Sequence, residues 1–352
     1  MTLPDKMRAW QFASTAGGLE KNLSLRDDVP LPKLNNNPEL LLIRVLSASL
    51  NPADYKLPEL GLASRAVFPT PGIPGVDFCG RVVRTSSSSA TGTATKLFKE
   101  GDLVFGQTER TQCGSCGEFV VAPVGNVALL PPDGGGVEVD EAATVSIAGL
   151  SAYQAVVPNV DPGKGDRVFI NGGGGGVGTY AIQIAKALGC FVTVSCSAGK
   201  ADLCRRLGAG EVVDYTAGDL VEVMRGKGPV YKLCVDNVGE PQGLYKAADG
   251  FLVPEGLFCQ VGSPVSIGSV RTMLSRMLVP PALGGGKRRY QFFKIARDPQ
   301  ALAQIGRWIV EGKVKPVIEE RFEMEALPRA FEKLKSGRCY GKLVIHVSKD
   351  EA

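Results

Sequence analysis

The chain has 352 residues, 44% of them hydrophobic and 22% charged, with 40 basic against 36 acidic side chains. That length predicts about two domains, the apolar fraction excludes wholesale disorder, and a diffuse net charge of +4 leaves no electrostatic footprint for nucleic acid. No apolar run reaches the ~18 residues of a membrane-spanning helix, the N-terminus lacks a signal-peptide layout, and nine cysteines without an export signal read as reduced thiols of a cytoplasmic protein. Over residues 1–150, short apolar runs at 40–45, 80–83, 102–105 and 118–121 predict strands, hence a small, mostly β domain. The Ser/Thr-rich stretch from Thr85 to Thr95 predicts a solvated loop. After Asp161-Pro162-Gly163 the texture changes: Arg167-Val168-Phe169-Ile170 reads as a buried strand and leads into the glycine run Gly172 to Gly176. Val177, Ala181, Ile184 and Leu188 then recur on one helical face, and Gly189 stops that helix. Strands are expected at 191–194, 211–215, 232–236 and 257–261, with a helix over 200–207. Apolar strands alternating with helices predict an α/β, doubly wound parallel sheet of the Rossmann kind. The tail adds a helix at 301–310 and a strand at 342–347 that carries the chain's one histidine, His346. One imidazole supports neither a histidine-centred metal site nor, without a Gly-x-Ser-x-Gly elbow, a Ser-His-Asp triad.

Gly173-x-Gly175-x-x-Gly178 stands between a strand and a helix, the context a dinucleotide fingerprint requires. Gly173 permits the tight turn, Gly175 lets the backbone approach a pyrophosphate, and Gly178 allows close helix–strand packing; Gly176 and Val177 supply N–H groups of the first turn. A Walker loop is ruled out because Thr179 stands where lysine should follow Gly178. The second strand runs into Ser195-Cys196-Ser197-Ala198-Gly199-Lys200, with no carboxylate before Asp202. A hydroxyl at Ser197 and a cation at Lys200 suit a 2′-phosphate, so NADPH is the expected cofactor.

At this point the sequence resembles the medium-chain dehydrogenase/reductase superfamily, in its zinc-free quinone oxidoreductase-like branch. The markers are Asn51-Pro52-Ala53-Asp54-Tyr55-Lys56, Pro71-Gly72-Ile73-Pro74-Gly75-Val76-Asp77, Lys99-Glu100-Gly101-Asp102, the glycine loop, Leu207-Gly208-Ala209, Asp214-Tyr215 and Gly341-Lys342-Leu343-Val344-Ile345. The resemblance implies a GroES-like, mostly-β catalytic domain over 1–150, completed by 300–352, and a Rossmann NADPH-binding domain over 151–299. It implies that Ser197, Lys200 and Tyr215 surround the adenosine 2′-phosphate. Asn51, Lys56 and Ser151 would approach the nicotinamide end, and Val261 and Lys342 would also contact the cofactor, with Arg338 a rival to Lys342. Zinc-binding members carry Cys and His where this chain has Asn51 to Asp54 and Gly75 to Asp77, and Cys113 and Cys116 alone cannot close a tetrahedral shell, so no metal is expected. The implied reaction is hydride transfer to a quinone or an α,β-unsaturated carbonyl. Lys56 is the candidate group for the developing enolate, with Tyr55 and Asn51 as weaker candidates. A biosynthetic enoyl reductase and a non-catalytic NADPH-binding protein are the alternatives. Lys287-Arg288-Arg289 reads either as a pocket edge for anionic substrates or as a solvated basic turn. The resemblance also implies a small-molecule substrate, no nucleic-acid or membrane partner, and a homodimer joined edge to edge through the strand at 257–261.

Overall fold

A computed structural model describes residues 3–35, 37, 39–61, 70–85, 97–109, 114–131, 134–264, 267–280 and 285–348. Most of the expected Ser/Thr-rich loop, from 86 to 95, and Cys113 lie outside the described residues. The chain divides into two compact units, the first made of Met1–Leu150, Arg297–Glu311 and Pro316–Ala352, the second of Ser151–Ala296 and Gly312–Lys315. Gln183 explains the last piece: its Nε2 donates to Lys315 O at 2.9 Å and its Oε1 accepts from Lys315 N at 2.7 Å, tying that short segment to the second unit.

In the first unit, β1 (Lys6–Phe12) and β2 (Leu23–Pro30) form an antiparallel pair that the sequence reading did not anticipate. The spine is β3 (Leu40–Leu50), largely apolar and largely buried on both faces. On one side it pairs with β4 (Asp77–Thr85), which continues to β5 (Leu103–Gln107). On the other its first half pairs with β6 (Phe119–Pro123), while β7 (Val127–Leu129) extends the sheet beyond β5.

The second unit holds β8 (Arg167–Asn171), β9 (Phe191–Cys196), β10 (Glu211–Asp214), β11 (Tyr231–Asp236), β12 (Leu252–Gln260) and β13 (Arg289–Phe292). All run parallel, in the spatial order β10-β9-β8-β11-β12-β13. The order reverses at β8, which makes a doubly wound sheet whose ligand crevice opens at the carboxyl ends beside that strand. Phe169, Tyr231, Phe251 and Phe258 fill one face, Phe169 meeting Phe251 edge to face at 5.9 Å. β12 has partners on both sides, so the expected edge-to-edge dimer through 257–261 has no free edge to use; the outer strand is β13.

The chain then returns to the first unit with the helix Pro299–Val310, β14 (Ile318–Glu323), the helix Leu327–Lys335 and β15 (Lys342–His346). β15 pairs antiparallel with the second half of β3, from Leu343 opposite Leu50 to His346 opposite Ser47. Residues nearly three hundred positions apart thus share one core, with Phe78, Phe331, Leu343 and Ile345 all buried in it.

Candidate active site

In the first unit, Asn51 follows the end of β3 and Pro52 opens a short helix, Pro52–Lys56, where a missing N–H costs nothing. Asn51 N–H donates to Asp54 Oδ2 at 2.7 Å, so the helix closes its own start. Asn51 Nδ2 donates to Asp77 Oδ2 at 2.9 Å, and Ile147 N–H to Asp77 Oδ1 at 3.1 Å. Lys342 Nζ reaches Leu50 O at 3.0 Å, Asn51 Oδ1 at 2.5 Å and Asp77 Oδ2 at 3.5 Å. A lysine has three N–H groups, and each finds an acceptor inside the unit. Lys342, expected at the cofactor, is therefore a buried structural cation, only 3% exposed, and Asn51's carboxamide is turned inward with it. Burial pulls the Lys342 ammonium down and pushes the Asp77 carboxyl up, while their mutual attraction opposes both shifts. Asp54 is shifted in the same direction as Asp77. Burial, and then the charge of Asp77, push its carboxyl up to about 7 against the Asn51 N–H and Lys342, and its Oδ1 has no hydrogen-bond partner among the described residues.

Lys56 and Tyr55 leave the same helix in different company. Lys56 is half-buried, and burial alone draws its ammonium below the ordinary lysine value. Tyr55 packs against the core, with Lys335 Nζ 5.3 Å from its ring centroid. Lys335 is itself bound to Glu59 at 2.6 Å and Glu20 at 2.5 Å, which makes Tyr55 part of the seat for the helix Leu327–Lys335.

In the second unit the three fingerprint glycines answer different constraints. A Cβ on Gly178 would fall 2.2 Å from Gly172 O and 2.6 Å from Gly173 O, and one on Gly173 would fall 2.8 Å from Val194 Cβ. A Cβ on Gly175 would meet nothing nearer than 3.8 Å, although Gly175 has an ordinary extended backbone. The protein itself does not need that space. No side chain caps the helix Gly176–Ala187, so its leading N–H groups and its dipole favour an anion there.

Lys200 lies across this loop: a Cβ on Gly174 would sit 2.7 Å from Lys200 Cδ. Tyr215 N–H donates to Cys196 O at 3.3 Å, which brings its 52%-exposed side chain beside the start of Ser197. The nearest carboxylates are committed elsewhere. Asp214 accepts from Thr216 N and Oγ at 2.9 and 2.7 Å, and Asp202 pairs with Arg205 at 2.8 Å. Ser197, Lys200, Tyr215 and the glycine loop thus gather at the carboxyl ends of β8, β9 and β10. Val261 N–H donates to Asp236 O at 2.8 Å, placing Val261 at the carboxyl ends of β11 and β12. Ser151 is 5% exposed in the helix Leu150–Val156.

The sequence reading missed the polar lock beneath this surface. Ser195 Oγ donates to Asn171 Oδ1 at 2.6 Å and accepts from Gly172 N at 3.1 Å, while Asn171 Nδ2 donates to Asp236 Oδ1 at 2.8 Å. The available signal was a polar residue at or next to the end of each of three apolar strands. Two residues of the basic cluster are engaged within the unit: Lys287 pairs with Asp249 at 2.8 Å, and Arg288 Nε and Nη2 donate to Leu252 O and Asp249 O. Among the described residues no three His, Cys, Asp or Glu side chains gather as metal ligands.

Residues 37–160 match the family profile of the alcohol dehydrogenase GroES-like domain, and residues 207–345 that of a zinc-binding dehydrogenase. A trans-enoyl reductase of Aspergillus terreus is 40% identical over 98% of both chains. A zinc-type alcohol dehydrogenase-like protein of Schizosaccharomyces pombe is 35% identical over 93% of this chain and 91% of its own. Among solved structures, the quinone oxidoreductase of Coxiella burnetii superposes with a TM-score of 0.82 at 27% identity, over 97% of this chain and 100% of that one.

Proposed function

This chain belongs to the medium-chain dehydrogenase/reductase superfamily, in its quinone oxidoreductase-like branch, and we propose that it is an NADPH-dependent, zinc-independent reductase of α,β-unsaturated carbonyl compounds, with quinones as the neighbouring class of acceptor. That the protein is an oxidoreductase with a nicotinamide cofactor comes with the family. The observation that carries the reading is the glycine loop, where the space above Gly175 and the uncapped helix behind it suit a pyrophosphate rather than the protein's own packing. Ser197 and Lys200, with Asp214 and Asp202 bound elsewhere, support the 2′-phosphate of NADPH over the bare ribose of NADH. When bound, the reduced cofactor supplies the hydride.

An enoyl group already carries an electrophilic β-carbon, so the reaction asks for no metal to polarise it. What it does ask for is a donor where negative charge gathers on the carbonyl oxygen. Lys56 takes that role: a partly buried ammonium interacts with such charge more strongly than one in open water. Asn51, Asp77 and Lys342 act behind it, holding the start of its helix. Full-length likeness to a trans-enoyl reductase favours an enoyl substrate over a quinone. Loss of NADPH absorbance with enoyl thioesters, enones and quinones tests this, with the fastest turnover expected on an enoyl or enone acceptor. Binding of NADPH with turnover of none of them would overturn the reading in favour of a non-catalytic binding protein.

A further inference from the structure

The helix Pro52–Lys56 has five residues, too few to keep its shape unaided, so its geometry is imposed from outside. Its start rests on Asn51, Asp77 and Lys342. Its end, where Lys56 stands, is tied down separately. Past Lys56 the chain keeps turning, with Leu57 N–H donating to Ala53 O at 3.2 Å and Glu59 N–H to Tyr55 O at 3.0 Å. Thr15 Oγ donates to Pro58 O at 3.3 Å. Glu59 Oε1 accepts from Leu19 N–H and from Lys335 Nζ, both at 2.6 Å. Lys335 Nζ also donates to Glu20 Oε2 at 2.5 Å and lies 5.3 Å from the centroid of the Tyr55 ring. One ammonium thus gathers two carboxylates and an aromatic face, with the side chains of Lys335 and Glu59 only 22% and 24% exposed and that of Glu20 9%.

What this grip controls follows from the spacing. Tyr55 and Glu59, four residues apart, share one face of the turn, and Lys335 holds that face. Lys56 comes one residue after Tyr55, about 100° further around the axis, so a hold on Tyr55 and Glu59 fixes the rotation of the helix and with it the direction of Lys56. Without Lys335, Glu20 and Glu59 would stand as like charges with no cation between them, and the hold would open. Resting on the reading of Lys56 as donor to the substrate oxygen, we propose that Lys335 and Glu59 are a positioning pair for Lys56, their ion pair beside Tyr55 setting the angle at which that ammonium meets the oxygen. The pair acts through Lys56 alone. A shift of about 1 Å at a reacting group costs on the order of a hundredfold in rate, so a loosened helix costs turnover rather than cofactor binding.

The test is a double-mutant cycle on turnover of the fastest of the enone and enoyl acceptors with NADPH, with thermal melts of every variant. Lys335→Met should lower kcat about tenfold and leave KM for NADPH within about twofold, while Lys335→Arg, which keeps a cation beside Tyr55, should recover most of the rate. In a Lys56→Met background, Lys335→Met should bring no further fall in kcat, because the group it positions is gone. Glu59→Gln keeps an acceptor for Leu19 N–H and breaks the ion pair, so it should repeat this pattern and stands in where Lys335→Met does not fold. Wild-type kcat in Lys335→Met and Glu59→Gln, or an equal fall with and without Lys56, would overturn the pair and leave Lys56 in place. Wild-type turnover in Lys56→Met alone is a different result: it removes Lys56 from the chemistry, and a pair defined by Lys56 goes with it.

Discussion

Two side chains of one short helix, Lys56 and Asp54, carry opposite consequences of burial. The ammonium of Lys56 is drawn down yet stays a donor, so Lys56→Met removes the proposed hydrogen bond to a substrate oxygen and leaves the glycine loop untouched. Turnover should fall by roughly a hundredfold with the NADPH dissociation constant unchanged, as read from single-turnover rates and fluorescence titration. Wild-type rates in that variant would remove Lys56 from the chemistry. Asp54 is the carboxyl that burial pushes up to about 7. An unfolded chain releases the Asp54 proton near pH 4, and the folded chain holds it until about 7, so the protein loses stability on this account as pH rises through that window. Asp54→Asn keeps an oxygen for the Asn51 N–H and cannot titrate. The variant should match the wild type near pH 4 and exceed it at pH 8 by a few kcal/mol at most, because each tenfold difference in proton affinity between folded and unfolded chain is worth about 1.4 kcal/mol. Melting curves across pH decide it: a variant less stable than the wild type at pH 8 would mean that the charged carboxylate stabilises the fold.

At the scale of elements, the strand–loop–helix running from β8 through Gly176–Ala187 separates two uses of glycine that a motif writes with one letter. Gly178→Ala pushes a methyl against Gly172 O and Gly173 O, both backbone atoms that cannot swing away. It should cost about 1–3 kcal/mol of stability and cofactor binding together. Gly175→Ala meets open space on an ordinary backbone, so its melting temperature should hold while NADPH affinity falls about tenfold or more. Equal behaviour of the two variants would deny that the space above Gly175 is kept for a ligand. This loop and the alternating strands and helices around it were legible in the sequence because each is a local pattern of spacing and turn chemistry. The β1–β2 pair was not, since its exposed and buried residues follow no strict alternation. Asp77 and Lys342 were legible as family markers, but the role of Lys342 as the partner of Asp77 was not, because that pairing joins residues 265 positions apart.

Over the whole molecule, that pairing governs how the first unit is completed. β3 lends its first half to β6 and its second half to β15, so one strand of the opening domain waits for the last strand of the chain. Lys342 arrives with β15 and places its ammonium between Asn51 and Asp77, which are 291 and 265 residues earlier. Contacts so distant in sequence form late, because closing the chain costs entropy before they repay it. Until they form, Asp77 has no cation beside it. Lys342→Met reproduces that state in the finished protein and leaves a carboxylate buried without its partner, a loss of about 3–5 kcal/mol. With the lysine gone, burial pushes the Asp77 carboxyl higher still, so the folded variant retains stability at low pH and loses it as pH rises. Urea denaturation should therefore show the deficit large at pH 8 and smaller at pH 5. Were Lys342 instead a cofactor contact, the same variant would keep its stability at both pH values and lose affinity for NADPH. One protein sample, denatured and titrated, separates the residue that closes the fold from one that grips the coenzyme.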